Sequence, residues 1–201
     1  TIYMKYVSID IETTGIIPEF HQVIEFAAVI EDTLNPLPLE KLPKFHYVIR
    51  NSENLYSGEA FAIFLNQRIF EILAGKDNSV EIIREKDLAY LFNLFLKKNG
   101  FEESPRSSQI TFHAAGKCFG TFDKLFLERL PNWRKYLQIT RRVIDPAILY
   151  VDWEKDEGLP NLETCKSRAG LIDTSISHVA DEDALDVIKV LRKTYIKTQT
   201  Q

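Results

Sequence analysis

Apolar and polar positions alternate from Met4 onward, with Val7, Ile9 and Ile11 on one side and Ser8, Asp10 and Glu12 on the other. A period of two over this length predicts a strand, which Thr13, Thr14 and Gly15 end as a turn. Residues 22 to 30, QVIEFAAVI, are nearly continuously apolar and predict a strand covered on both faces, and KFHYVIR at 44 to 50 predicts a third. The connector DTLNPLPLEKLP holds three prolines and reads as loop. From 59 to 74 the period changes: Phe61, Phe64, Leu65, Ile69, Ile72 and Leu73 fall at helical spacing, and Gly75 is the stop. A second helix is predicted over 86 to 98, where Leu88, Leu91, Phe92, Phe95 and Leu96 form the stripe and two lysines suit the C-terminus. Downstream, QITFHAA at 109 to 115 and RRVID at 141 to 145 predict strands, and 122–130, 161–171 and 181–195 predict helices. The closing KTQTQ reads as a frayed tail.

Three strands close in sequence, then helices alternating with two more strands, predict an α/β fold: a mixed sheet of about five strands with helices on its faces. No repeat or linker interrupts the pattern, so one domain is expected over 1–201, with its core at 5–195 and a short C-terminal tail.

Composition narrows the function classes. With 25 lysines plus arginines against 29 acids, the net charge is −4, which argues against wrapping long duplex through many phosphate contacts but allows a grip on a strand end. Cys118 and Cys165 form no Cys-x-x-Cys pair, so neither a disulfide framework nor a thiolate zinc site is indicated, and a reducing, cytoplasmic setting is expected. TIYMKYV lacks the pattern of an export signal, and no stretch has the ~18 consecutive apolar residues of a membrane span.

Asp10 and Glu12, two apart on a strand, project from one face at its C-terminal end, as a metal site requires; a solvated strand face is the plain alternative. Asp123 opens a predicted helix after a loop of small residues, where it serves either chemistry or the helix N-terminus. In HVADEDA, His178 precedes a helix and Asp183 falls in its first turn, where acids are also favoured by the helix dipole. Together these are four carboxylates and one imidazole at element ends that a mixed sheet can bring together.

SIDIETTG at 8–15, GTFDKLFL at 120–127 and HVADEDA at 178–184 resemble, in order, the three motifs of the DEDDh, or DnaQ-like, 3′–5′ exonucleases. The resemblance runs from Lys5 to about Leu191 and implies a ribonuclease H-like sheet, its first three strands antiparallel. It implies that Asp10, Glu12, Asp123 and Asp183 hold two Mg²⁺ ions, with Mn²⁺ able to substitute, and that His178 is the general base. Thr13, Thr14, Gly15 and Ile16 match the stretch that meets the 3′-terminal nucleotide in the family, where leucine is commoner than isoleucine at the last position. Many members carry histidine and asparagine shortly before the middle aspartate; here His113 stands ten residues before Asp123, with Ala114 after it, and is the candidate for substrate binding.

The implied chemistry suits these residue types. Two divalent cations activate water and offset charge on the phosphoryl group, and hard cations take carboxylate oxygens as ligands. An imidazole, titrating ordinarily near pH ~6.5, can take the proton from water, so activity is expected to rise with pH. Apolar faces stack on bases without reading sequence; Ile16 is the first wedge candidate and Phe64 the second. The expected substrate is the 3′ end of a single strand, DNA slightly before RNA, releasing nucleoside 5′-monophosphates. A non-catalytic nucleic-acid or protein-binding domain and a phosphatase acting on small nucleotides are the alternatives. A polymerase partner or a homodimer is open, as is the role of residues 51–98.

Overall fold

The computed structural model describes residues 4–196, so the predicted tail KTQTQ lies outside the described residues. Its sheet has six strands in the order β4-β3-β2-β1-β5-β6. The first strand, β1 (Lys5–Thr13), runs antiparallel to β2 (Val23–Asp32), which pairs antiparallel with β3 (Lys44–Arg50). Chain reversal through short loops explains this half, while β5 (Ile110–Ala115) returns parallel to β1 after a long helical crossover. The mixed α/β sheet flanked by helices is therefore as expected. One further strand, β4 (Ile82–Arg84), extends β3; at three residues it is too short to show a period.

Four segments depart from the sequence pattern. The predicted helix 59–74 is two helices, α1 (Ala60–Leu65) and α2 (Gln67–Leu73), broken at Asn66, whose side chain donates to the carbonyls of Thr13 and Ala62. Only α2 supplies core, with Ile69, Ile72 and Leu73, whereas Phe61, Phe64 and Leu65 face outward. The last strand, β6, is Leu137–Ile139 rather than 141–145, and it pairs parallel with β5. Residues 141–145 contribute only an isolated bridge, Ile144 to Ala115, because Leu137 and Ile139 hold the buried positions beside β5. The helices predicted at 122–130 and 161–171 are shorter, α4 (Asp123–Leu127) and α6 (Leu162–Arg168), and a one-turn helix, α5 (Trp133–Tyr136), precedes β6.

The two faces of the sheet have separate cores. Val7, Ile9 and Ile11 pack under α3 (Glu85–Lys98) through Leu88, Phe92 and Leu96, with Trp133 completing that side. Tyr6 and Val29 pack under α6 and α7 (Ala180–Tyr195) through Leu162, Cys165, Val187 and Leu191. On this second face the Ser8 hydroxyl donates to the carbonyl of Ala184 at 2.7 Å, seating the start of α7 against β1. Asp10 and Glu12 alternate onto the same face beyond Ser8, and they are the only positions after Lys5 on β1 that are not fully buried.

Candidate active site

The pairing of β1 with β2 shifts register between Glu12 and Thr13, leaving Ile24 as an extra residue on β2. Such a bulge locally bends and twists its strand, and Glu12 stands beside it on the face that α7 covers. Ligand atoms of Glu12, His178 and Asp183 all lie within 4.8 Å of one another. His178 sits two residues before α7 with φ of +52°, a left-handed backbone uncommon for a histidine. Asp183, only 6% exposed, lies in the first turn of α7, and its carboxylate accepts from the Ser177 hydroxyl at 3.4 Å.

Asp123 arrives from α4, 4% exposed. Its carboxylate faces the backbone N–H groups of Ile11 and of its own residue, so it reaches β1 rather than capping its helix. Gly116 permits this approach, because a Cβ there would lie 2.8 Å from the Ile9 carbonyl.

Burial raises the proton affinity of all four carboxylates, and repulsion within the cluster adds to it at Asp10 and Glu12. Burial, followed by repulsion from Asp123, Glu12 and Asp183, pushes the Asp10 carboxyl well above its ordinary range. Burial with repulsion from Glu25 and Asp183 pushes Glu12 up to about 8. Burial pushes Asp123 up to about 7, and burial together with Asp186 raises Asp183. A cluster of oxygen donors with this much unrelieved negative charge matches what hard divalent cations bind, so the residues present fit such a group.

The turn after β1 is held by its own bonds. The Thr13 hydroxyl donates to the Gly15 carbonyl at 2.7 Å, and the Thr14 hydroxyl donates to the Ser57 carbonyl at 2.6 Å. The Glu59 N–H donates to the Thr14 carbonyl at 2.8 Å, and a Glu59 carboxylate oxygen accepts from the Ile16 N–H at 3.3 Å. Glycine is required at 15 and 58: a Cβ at Gly15 would meet the His21 ring at 2.5 Å, and one at Gly58 would meet the Thr14 carbonyl at 2.3 Å. These bonds set α1 beside the turn, where Ile16 is 68% exposed and Phe61 and Phe64 are 75% and 77% exposed.

His113 is not brought to this place. It pairs with Tyr6 across β1 and β5, four residues short of Asp10 or ~13 Å along the strand, and its Nδ1 lies 3.1 Å from the Thr140 hydroxyl.

Three groups escaped the sequence reading. Glu25, opposite Glu12 on β2, is fully buried; Arg68 bonds both its oxygens at 2.9 and 2.8 Å and His46 Nε2 bonds it at 2.8 Å. Despite burial, these partners hold its carboxyl below the ordinary value. The Ala180 N–H also donates to Glu25, at 3.4 Å, which ties the N-terminus of α7 to the sheet. One charge inside the apolar run QVIEFAAVI was the available signal, since a buried charge needs partners. Asn66, buried at the helix break, bonds the Thr13 carbonyl and favours the ionised form of Glu12. Lys166 and Asp186 form a buried ion pair at 2.5 Å behind the loop that carries His178, with no period or motif to mark it.

The fold is shared with solved structures of E. coli Exonuclease I. Its complex with a dT13 oligonucleotide matches at a TM-score of 0.61 and 17% identity, covering 96% of this chain and 41% of that one. The complex of Exonuclease I with SSB-Ct matches at 0.61 and 16%, covering 96% and 42%. The zinc-ion-bound form of the E. coli Exonuclease I–ssDNA complex matches at 0.63 and 15%, covering 98% and 41%. The chain thus spans about two fifths of the length of those chains. No protein-family model and no curated protein matches the sequence. No helix among the described residues is long and apolar enough to cross a membrane.

Proposed function

We propose that the chain is a metal-dependent 3′–5′ exonuclease of the DEDDh type, removing nucleoside 5′-monophosphates from single-stranded nucleic acid. The observation that carries this reading is the convergence of Asp10, Glu12, Asp123, Asp183 and His178, from β1, α4 and the start of α7, at one end of the central strand. The oligonucleotide-bound Exonuclease I structures that share the fold support it and tilt the substrate toward DNA.

Asp10, Glu12, Asp123 and Asp183 would hold two Mg²⁺ ions, with Mn²⁺ able to substitute. When bound, these ions acidify water and offset charge on the transferring phosphoryl group. His178, exposed beside Glu12 and Asp183, accepts the proton of the attacking water. The water oxygen bonds to phosphorus, the bond from phosphorus to the 3′ oxygen of the preceding nucleotide breaks, and that oxygen takes a proton from solvent to become the new 3′ hydroxyl while His178 returns its proton to solvent. Thr13, Thr14 and Gly15 shape the floor for the terminal nucleotide, and Ile16 with Phe61 and Phe64 offers apolar faces to unstacked bases.

The test is incubation of 5′-labelled DNA and RNA oligonucleotides of matching sequence with Mg²⁺, beside an Asp183→Ala control. A ladder shortening from the 3′ end, absent in the control, is expected. Intact strands of both kinds with Mg²⁺ and with Mn²⁺ overturn the reading in favour of a binding domain.

A further inference from the structure

The loop from Leu171 to Val179 carries His178 and has little regular structure of its own. Its residues are exposed or half-buried, and Ile172 is among the most exposed apolar residues described. An imidazole on such a loop needs a fixed point if it is to stay against Glu12 and Asp183. The fixed point is a buried ammonium. Lys166, 2% exposed on α6, donates from Nζ to the Ser175 carbonyl at 2.6 Å and to Asp186 Oδ2 at 2.5 Å. Asp186 lies on α7 one turn after Asp183, and its other oxygen accepts from Lys189 at 2.8 Å. The buried charge is thus neutralised by the helix that bears Asp183, and its remaining bond goes to the backbone three residues before His178.

A lysine this deep is expensive unless it is paired, and a leucine or methionine would fill the same volume without that cost. What an apolar side chain cannot do is capture a loop carbonyl. We infer that Lys166 is a positioning residue for His178, holding the loop through Ser175 while Asp186 locks the ammonium to α7. This rests on the reading of His178 as the general base, and Lys166 itself touches neither substrate nor the reacting atoms.

Two variants test it: Lys166→Met, and Lys166→Met with Asp186→Leu, which removes both buried charges and spares the fold an unpaired one. Amide hydrogen exchange, which needs no activity, is expected to quicken in residues 172–179 and to stay unchanged in β1 and β5. Single-turnover hydrolysis of a labelled oligonucleotide at saturating enzyme is expected to slow by about 10- to 100-fold, the cost of a displaced catalytic group, with binding affinity unchanged. In a His178→Ala background the same substitution is expected to cost less than about twofold, because a residue acting through His178 has nothing left to position. Equal losses in both backgrounds, or unchanged exchange over 172–179, overturn the inference. Absence of hydrolysis by the unaltered protein instead overturns the exonuclease reading and the role assigned to His178, while exchange still reports whether Lys166 anchors the loop.

Discussion

Chelation of divalent cations followed by a rise in pH perturbs the carboxylate cluster most directly. Glu12 is raised from 4.5 to about 8 and Asp123 from 3.8 to about 7 in the folded chain, so between these limits the native state binds more protons than the unfolded one. The derivative of unfolding free energy with pH is then negative: the contribution is fully present below the unfolded values and is lost as pH climbs through the folded ones. From pH ~5.5 to ~8.5, Asp123 titrates over ~1.5 units and Glu12 over ~2.5, which at 1.36 kcal/mol per unit gives about 2 and 3 kcal/mol. The two share the field of the same cluster and Glu12 is partly solvated, so about 3 kcal/mol in all is the expected loss. For a chain of this size that is a fall in Tm of ~6–12 °C. Thermal unfolding by circular dichroism in EDTA, at both pH values, measures it. Mg²⁺ is expected to restore the lost stability at the higher pH and to do little at the lower, where protons compete for the same oxygens. A Glu12→Gln, Asp123→Asn double variant is expected to show a shallower profile in EDTA, with the remaining slope carried by Asp10 and Asp183. An EDTA profile that is flat or rising in the unaltered protein, or equally steep in the variant, refutes the argument.

Phe61→Ser with Phe64→Ser is expected to leave Tm within ~2 °C, since both rings are exposed, yet to weaken single-strand binding by about 1–3 kcal/mol for each base that loses a stacking face; fluorescence anisotropy with a labelled oligonucleotide in EDTA separates the two effects. Arg68→Met leaves the buried Glu25 carboxylate with only His46 and a long bond from the Ala180 N–H, and is expected to destabilise by about 3 kcal/mol in urea unfolding at pH 7. A loss under 1 kcal/mol would show that water replaces the guanidinium there.

The order of strands and helices was legible because each long element has one face or both in the core, and burial imposes its period on the sequence. β1, β2, β3, α3 and α7 are such elements. Asp10 and Glu12 were legible for a related reason, since a strand two residues from its end places alternate side chains on one face whatever the surroundings. The same logic misled at Phe61, Phe64 and Leu65, whose spacing is helical but whose face is turned outward by the break at Asn66. It also misplaced the last strand, because 137–139 and 141–145 are both short apolar stretches and only the register against β5 chooses between them.

By itself the sequence determined the types of the long elements, the shared face of two carboxylates, and a set of acids and one histidine at element ends. Which of those acids meet was decided by tertiary structure, because proximity depends on crossovers of many residues that no local period records. The parallel return of β5 delivers Asp123 to Ile11, and the Ser8 bond to Ala184 seats the start of α7 so that Asp183 and His178 reach Glu12. The same register leaves His113 beside Tyr6 at the other end of the strand. Partnerships of buried charges, Glu25 with Arg68 and Lys166 with Asp186, are likewise long-range, since a single charge in a sequence announces that it needs a partner without saying where that partner lies.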